Sequence, residues 1–351
     1  MKRPDTRVPP GRRLRLAERD PDDRSIVGKK KAAAYARLDA YRARLDALQE
    51  LLYAEGRHKL LVVLQAMDTA GKDSTIRHVF QGVDPLGVNV TGFRAPTPEE
   101  AAHDFLWRVH RRVPGAGEIA IFNRSHYEDV LVTRVNGWID AAECRRRYRQ
   151  INDFERMLAE SGTTILKFFL HVSKEEQQAR FLARLDEPEK HWKFSVSDVK
   201  EREHWKQYMA AYEDVIRHTA ARHAPWVVVP ADRKWFARLV VAAAIQDALE
   251  SLDLRFPAVD AAKAHELASA RAQLLGNAAA SAAASATAAE EIRSGGPGKD
   301  EAGHKDKKRG KRKKDRKEKK NRGARKAKKG AERDAGPRED EAADTAAPGE
   351  P

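Results

Sequence analysis

The chain has 351 residues, 41% of them hydrophobic and 34% charged, with a mean hydropathy of −0.70 and a formal net charge of +14. Its one cysteine, Cys144, excludes an intrachain disulfide and argues against a cysteine-based metal site. No apolar run approaches the roughly 18–20 residues that span a bilayer, and the basic start is followed by no apolar stretch, so a cytoplasmic protein without a membrane partner is expected.

The charge is unevenly placed. Between Lys305 and Lys329 stand 17 Lys and Arg against three acids, a surplus equal to that of the whole chain. The remainder sums to neutral, although a basic cleft is compatible with a neutral average.

Residues 1–30 read as a Pro/Arg-rich, extended lead-in. Apolar residues at Tyr35, Leu38, Tyr41, Leu45, Leu48, Leu51 and Leu52 predict an amphipathic helix over 32–55. Lys59–Gln65 follows, apolar and β-branched, cut off by a glycine-containing turn, and reads as a buried parallel strand. A helix is predicted from Gly71, a strand at 88–93, and a helix opened by the signal Pro96–Glu100. Strands at 118–122, 163–172 and 226–230 alternate with helices over 141–161, 174–185, 197–223 and 234–252. Such alternation implies a doubly wound, parallel α/β domain over 31–254. Residues 255–295 are Ala-rich and read as a helical or flexible spacer. Residues 296–351, basic and then acidic, are too poor in apolar side chains to order themselves and read as a disordered tail.

Chemistry concentrates at Leu64–Thr75. A buried strand, a glycine turn, a lysine and a helix start form a phosphate cradle: backbone N–H groups face the anion and Lys72 adds a full charge. Ala70, Gly71 and Ser74 belong to the same phosphate-binding turn. The pattern G-x-x-x-x-G-K-[ST] is met imperfectly, since Ala66 replaces its first glycine and Asp73 its magnesium-binding hydroxyl. Asp68 and Asp73 place two carboxylates in an anion-binding turn, which is electrostatically sensible when a divalent cation such as magnesium intervenes or when they steer cations. Asp73 also suits a helix first turn for its own sake.

The third main strand ends in Asn123-Arg124-Ser125-His126-Tyr127-Glu128-Asp129. Ligands of open α/β sheets bind at carboxyl strand ends, which brings Arg124, Glu128 and Asp129 toward the loop. Arg124 suits a bidentate phosphoryl clamp, and His126 reads as a structural or hydrogen-bonding residue. Arg180 and Arg184, four apart on one helical face, precede a Pro-broken basic stretch containing Lys190 and Lys193 and read as a cationic lid. A solvated helix end is the alternative.

Four ordered blocks, AMDTAGKDSTIRHVF, GFRAPTPEEAAHDFLWRVH, GEIAIFNRSHYEDVLV and RFLARLDEPEKHWKFSVSDVKERE, with PWVVVPAD near the end, resemble the family-2 polyphosphate kinases. The resemblance covers roughly residues 30–252. It implies a P-loop kinase-like, three-layer α/β fold related to thymidylate kinase, with a parallel sheet and a helical lid. It also implies magnesium-dependent transfer of a terminal phosphate between inorganic polyphosphate and AMP or ADP (or GMP or GDP), with manganese as a substitute metal. Asp68, Lys72, Asp73, Arg124 and Glu128 match the catalytic core, with Asp68 and Glu128 as metal ligands. Arg180, Arg184, Lys190 and Lys193 match phosphate-binding lid positions, and Asn123 and Asp129 nucleotide-binding ones. Asn123 and Glu128, where many members carry Asp and Asn, resemble the branch that accepts AMP as well as ADP. A homo-oligomer is the expected assembly. An ATP-dependent nucleotide kinase of the same fold, and a polyphosphate- or nucleic-acid-binding protein acting through its tail, remain the alternatives.

Overall fold

The computed structural model describes residues 6–25 and 31–294; the expected disordered tail lies outside the described residues. The chain divides into two units, Met1–Val259 and Asp260–Pro351. The described part of the second is one helix, Ala261–Ser294, where high Ala content favours helix over any packed alternative.

The first unit is built on a six-stranded sheet. Its strands are β1 (Arg7–Val8), β2 (Lys59–Gln65), β3 (Val88–Gly92), β4 (Ile119–Asn123), β5 (Thr163–His171) and β6 (Trp226–Pro230), in the order β1-β6-β5-β2-β4-β3. The five strands expected from the sequence pair in parallel. The lead-in departs from expectation: Arg7 and Val8 pair antiparallel with Val227 and Trp226. The backbone N–H of Leu16 then donates to Glu213 Oε1 at 2.6 Å. A β6 edge left open would be a template for foreign strands, and the lead-in covers it.

β2 is central and its residues Leu60–Gln65 are all buried, as a strand covered on both faces must be. Its helices are α1 (Lys31–Glu55) and α2 (Lys72–Val79), followed by the single turns α3 (Pro98–Ala101) and α4 (Trp107–His110). Beyond them come α5 (Glu128–Val135), α6 (Ala141–Glu160), α7 (Lys174–Asp186), α8 (Val196–Glu203), α9 (Trp205–Thr219) and α10 (Lys234–Glu250). α1 buries Ala34, Leu38, Leu45, Leu48 and Leu52 on one stripe and packs against α10, which also packs on α2.

Two expected helices are interrupted. Thr97 and Glu100 form a capping box that starts α3, but the backbone N–H of Leu106 is drawn to Asp104 Oδ1 at 2.9 Å and the chain restarts as α4. The helix expected over 197–223 breaks at His204 into α8 and α9. α8 buries no residue and is pinned to α7 by Arg202, which donates to Gln177 Oε1 at 2.8 Å, whereas α9 buries a full face. The halves answer to different partners, so the axis turns between them.

Beneath the sheet's carboxyl end lies a wholly buried ion pair. Lys167 on β5 donates to Glu155 Oε2 on α6 at 2.6 Å, the Tyr127 hydroxyl at 2.9 Å and the Thr219 carbonyl at 2.7 Å, which satisfies all three of its N–H groups. Tyr127 in turn donates to Glu155 Oε1 at 2.7 Å. Burial pushes the Glu155 carboxyl up, but the Lys167 ammonium and His126 outweigh it and hold the carboxyl below its ordinary value. Lys167→Met strands that carboxylate and is expected to cost about 3–5 kcal/mol in urea unfolding, whereas Lys167→Met with Glu155→Leu recovers much of the loss. A single variant within about 1 kcal/mol of the parent would refute the network's structural role.

Candidate active site

β2 and β4 are paired so that Leu64 lies opposite Asn123, and Gly92 of β3 meets the same Asn123 from the other side. The loop after β2 and the segment after β4 therefore leave the sheet side by side. The backbone N–H of Arg124 donates to the Leu64 carbonyl at 3.1 Å, fastening the two exits.

The β2–α2 loop owes its shape to two left-handed residues and to α7. Thr69 has φ 61° and Gly71 φ 107°. A Cβ on Gly71 would meet only Arg180 at an ordinary 3.9 Å, so glycine is required there for its backbone angle and not for room. Gln177 Nε2 donates to the Asp68 carbonyl at 3.1 Å, and Arg180 Nη1 to the carbonyls of Thr69 and Ala70 at 3.1 and 2.9 Å. The peptide bonds of the loop are trans, so carbonyls drawn toward α7 turn the following N–H groups of Thr69 and Gly71 the other way. Those, with the first N–H groups of α2, which precede any carbonyl partner in their own helix, form an anion cradle.

Lys72 is buried and its Nζ donates to the carbonyls of Ala66 (2.8 Å) and Met67 (3.3 Å), curled into the loop. Burial pulls its ammonium below the usual lysine range, against the pull of the Asp68 carboxylate. Ala70 is buried beneath the turn, and Ser74 on α2 accepts from Arg238 Nη2 at 2.7 Å.

Loop and β4 exit meet through two polar links. Arg124 Nη2 contacts Asp68 Oδ1 at 2.6 Å, and Asn123 Nδ2 donates to Asp73 Oδ1 at 2.7 Å. Arg124 holds φ 63°, a strained setting for a non-glycine residue, costing on the order of 1–3 kcal/mol. Glu128 opens α5 behind it. With the Gln65 amide oriented to suit its neighbours, its nitrogen donates to Glu128 Oε1 at 2.9 Å and its oxygen accepts from the Ser125 N–H at 3.2 Å.

Electrostatics separate the two carboxylates. Burial would raise Asp68, but Lys72 and Arg124 prevail and hold it below its ordinary value. Burial raises Glu128, only partly relieved by Arg124 and Lys72, and Asp68 pushes it further. Both stand against the same two cations. Among the described residues no group of three or more His, Cys, Asp or Glu assembles into a metal cage. A pair of carboxylates beside a phosphate cradle is the donor set that suits Mg²⁺, whose octahedron is completed by waters and phosphate oxygens.

The remaining expected residues fall in different places. Asp129 faces away from the loop, with Oδ2 3.5 Å from Arg108 Nη2, and Arg108 Nη1 donates to the Arg94 carbonyl at 2.8 Å. His126 is wholly buried with Nε2 3.4 Å from Glu155 Oε1, a structural position. Arg180 differs most from the sequence reading. Beyond Thr69 and Ala70 it donates to Glu176 (2.8 Å), Ala231 (2.7 Å) and Asp232 (3.0 Å), so its five N–H groups are all engaged within the protein. It is the loop's clamp, not an open lid cation. Arg184 does face the cleft, its charge felt at Asp68, with Asp198 Oδ2 of α8 3.9 Å away. Lys190 pairs with Glu187 on the short turn Pro188–Lys193; the side chain of Lys193 lies outside the described residues.

Gln177, Asp198 and Gln65 were not anticipated. Gln177 had a signal, since it stands three and seven residues before Arg180 and Arg184 on one helical face. A cavity of about 430 Å³ lined by Leu106, Trp107, His110 and Phe154 shares no residue with this cleft.

Arg180→Lys keeps one charge but cannot span carbonyls on two loops. Amide exchange at Ala70, whose N–H donates to the Met67 carbonyl at 3.3 Å, is expected to accelerate about tenfold or more while β2 and β5 stay protected. Unchanged exchange in the loop would show that the clamp is dispensable.

The Polyphosphate kinase 2 (PPK2) family model matches residues 28–257. An AMP/ADP-polyphosphate phosphotransferase of Meiothermus ruber is 53% identical over 251 residues, covering 72% of this chain and 94% of its own. An ADP-polyphosphate phosphotransferase of Rhodopseudomonas palustris is 48% identical over 244 residues, covering 66% and 84%. The crystal structure of polyphosphate kinase 2 from Arthrobacter aurescens superposes with a TM-score of 0.71 at 49% identity, over 75% of this chain and 94% of that one. Family match, sequence identity and superposition agree, and the chain belongs to the polyphosphate kinase 2 family.

Proposed function

We propose that the chain transfers the terminal phosphate of inorganic polyphosphate to a nucleoside mono- or diphosphate, AMP or ADP, with Mg²⁺ as cofactor. The observation that carries this is the 2.6 Å Arg124–Asp68 contact, which joins the phosphate loop to the β4 exit and stations one cation and one carboxylate beside Lys72. The names of the M. ruber and R. palustris relatives support the substrate pair.

In this reading the cradle N–H groups and Lys72 hold the donor's terminal phosphate, and Arg124 neutralises charge that develops as it moves. Phosphoryl transfer needs little covalent help from a protein, so positioning and electrostatics supply most of the rate. Asp68 and Glu128 would hold Mg²⁺, which when bound shields the phosphate oxygens of donor and acceptor from one another. Arg184, carried by the lid, approaches the donor from above and helps exclude water. Asn123, tied to Asp73, lies at the acceptor side, where its identity and that of Glu128 bear on the choice between AMP and ADP.

The test is direct. Purified protein with Mg²⁺ and polyphosphate, and no ATP, is offered AMP, ADP, GMP and GDP separately; AMP and ADP are expected to gain phosphate. Lys72→Met abolishes transfer with the fold intact by circular dichroism, and Asp68→Asn lowers kcat by about 10²–10³. Wild-type turnover by Lys72→Met, or transfer only when ATP is supplied, would sink the reading.

A further inference from the structure

One contact made by α8 does more than hold a helix in place. α8 buries no residue, so its seat on the domain is set by polar contacts. Arg202 makes three of them to α7. Its Nη1 donates to the Lys174 carbonyl at 2.7 Å and to Gln177 Oε1 at 2.8 Å, and its Nη2 to Gln178 Oε1 at 2.9 Å. Gln177 is 1% exposed, and the other end of its amide, Nε2, donates to the Asp68 carbonyl at 3.1 Å. A guanidinium on α8 and a carbonyl of the phosphate loop are thus joined through one buried amide.

An amide has one accepting end and one donating end, and its neighbours decide which way it faces. A guanidinium carries donors and no acceptor, so only the oxygen of Gln177 can face Arg202. The nitrogen is then left pointing at Asp68, where it draws the carbonyl out of the cradle. Water in place of the guanidinium both donates and accepts, and so holds neither orientation. With the amide turned over, its oxygen would face the Asp68 oxygen and push that carbonyl back toward the bound anion. Arg180 does not hold this carbonyl, since its own loop bonds go to Thr69 and Ala70.

α8 also reaches the cleft itself. Asp198 stands four residues before Arg202, on the same face of the helix, and its Oδ2 lies 3.9 Å from Arg184 Nη1. Burial raises the Asp198 carboxyl, and the Asp68 carboxylate raises it further against the opposing pull of Arg184. One helical face therefore meets the charge of the cleft at Asp198 and governs a loop carbonyl at Arg202.

We propose that Arg202 is a positioning residue for the phosphate cradle: by fixing the orientation of the Gln177 amide it turns the Asp68 carbonyl outward, so that the cradle is complete only while α8 is seated on α7. This role rests on the cradle reading given above and not on which nucleotide accepts the phosphate.

The experiment titrates the full chain with tripolyphosphate and Mg²⁺ by calorimetry, with no nucleotide present and hence no turnover. Arg202→Ala is expected to weaken binding about tenfold and to speed Ala70 amide exchange in the free protein by a similar factor. Its urea midpoint stays put, because α8 has no buried residue to expose. Arg202→Lys also carries donors and no acceptor, so it keeps the amide in its orientation and is expected to bind within about threefold of the parent. Gln177→Met removes the amide at equal length and is expected to bind as poorly as Arg202→Ala, with the double variant no weaker than either, as two members of one relay require. Unchanged binding and exchange in Arg202→Ala would overturn the role. So would an Arg202→Lys as weak as Arg202→Ala, since the residue would then act through its fork to Gln178 and Lys174. Transfer from polyphosphate to ADP by the wild-type protein is measured alongside. A protein that binds tripolyphosphate but makes no ATP would fail the proposed function and leave the cradle result standing, whereas one that does not bind it would overturn both.

Discussion

The constraint on which the rest of the site depends is the direction of three carbonyls. A phosphate cradle works only if the backbone presents N–H groups and turns its carbonyl oxygens elsewhere, because a single inward carbonyl repels the anion it is meant to hold. In this chain the oxygens of Asp68, Thr69 and Ala70 are drawn out by Gln177 and Arg180 of α7. Arg180 also reaches Ala231 and Asp232 after β6, so the loop, the lid helix and the last strand share one guanidinium. That geometry explains how a P-loop lacking its first glycine keeps its shape. The restraint comes from outside the loop.

The other half of the site is held from below. Arg124 and Glu128 flank Tyr127, whose hydroxyl is fixed by Glu155 and Lys167 in the core. A φ of 63° at Arg124 persists only where neighbours over-determine it. Here its N–H is bonded to Leu64 on one side and the Tyr127 anchor follows three residues later. The buried ion pair is therefore a device for placing two charges, Arg124 and Glu128, on a segment that would otherwise relax. Its cost in desolvation is met by complete hydrogen bonding of the lysine.

Much of this was legible in the chain itself. Short apolar, β-branched runs located five strands, and period-3.6 patterns most helices, because each has one environment along its whole length. The breaks at Ala102–Phe105 and His204 were not legible, since they follow from which neighbour each half packs against. β1 was missed for a related reason: two residues at a sheet edge carry no periodicity. Lys72, Asp68 and Arg124 announced themselves by their place after strands. Arg180 was found but given the wrong partner, because sequence spacing shows that an arginine faces the loop and not whether it meets backbone or ligand. Asp198, Gln65 and Arg238 come together only in three dimensions.

The charges of the cleft also account for the departures from the ordinary P-loop. Lys72 and Arg124 alone would make a strongly cationic pocket, able to trap a polyphosphate chain but slow to release a shortened one. Asp68 sits against both, ionised below its usual range, and Glu128 lies near enough to feel it. A usual P-loop hydroxyl contributes no charge, whereas Asp73 adds a carboxylate that Asn123 orients. The Arg124 charge is met by the Asp68 carboxylate at 2.6 Å, beside the phosphate cradle. A phosphate held in the cradle is thereby left in a balanced field from which it can move.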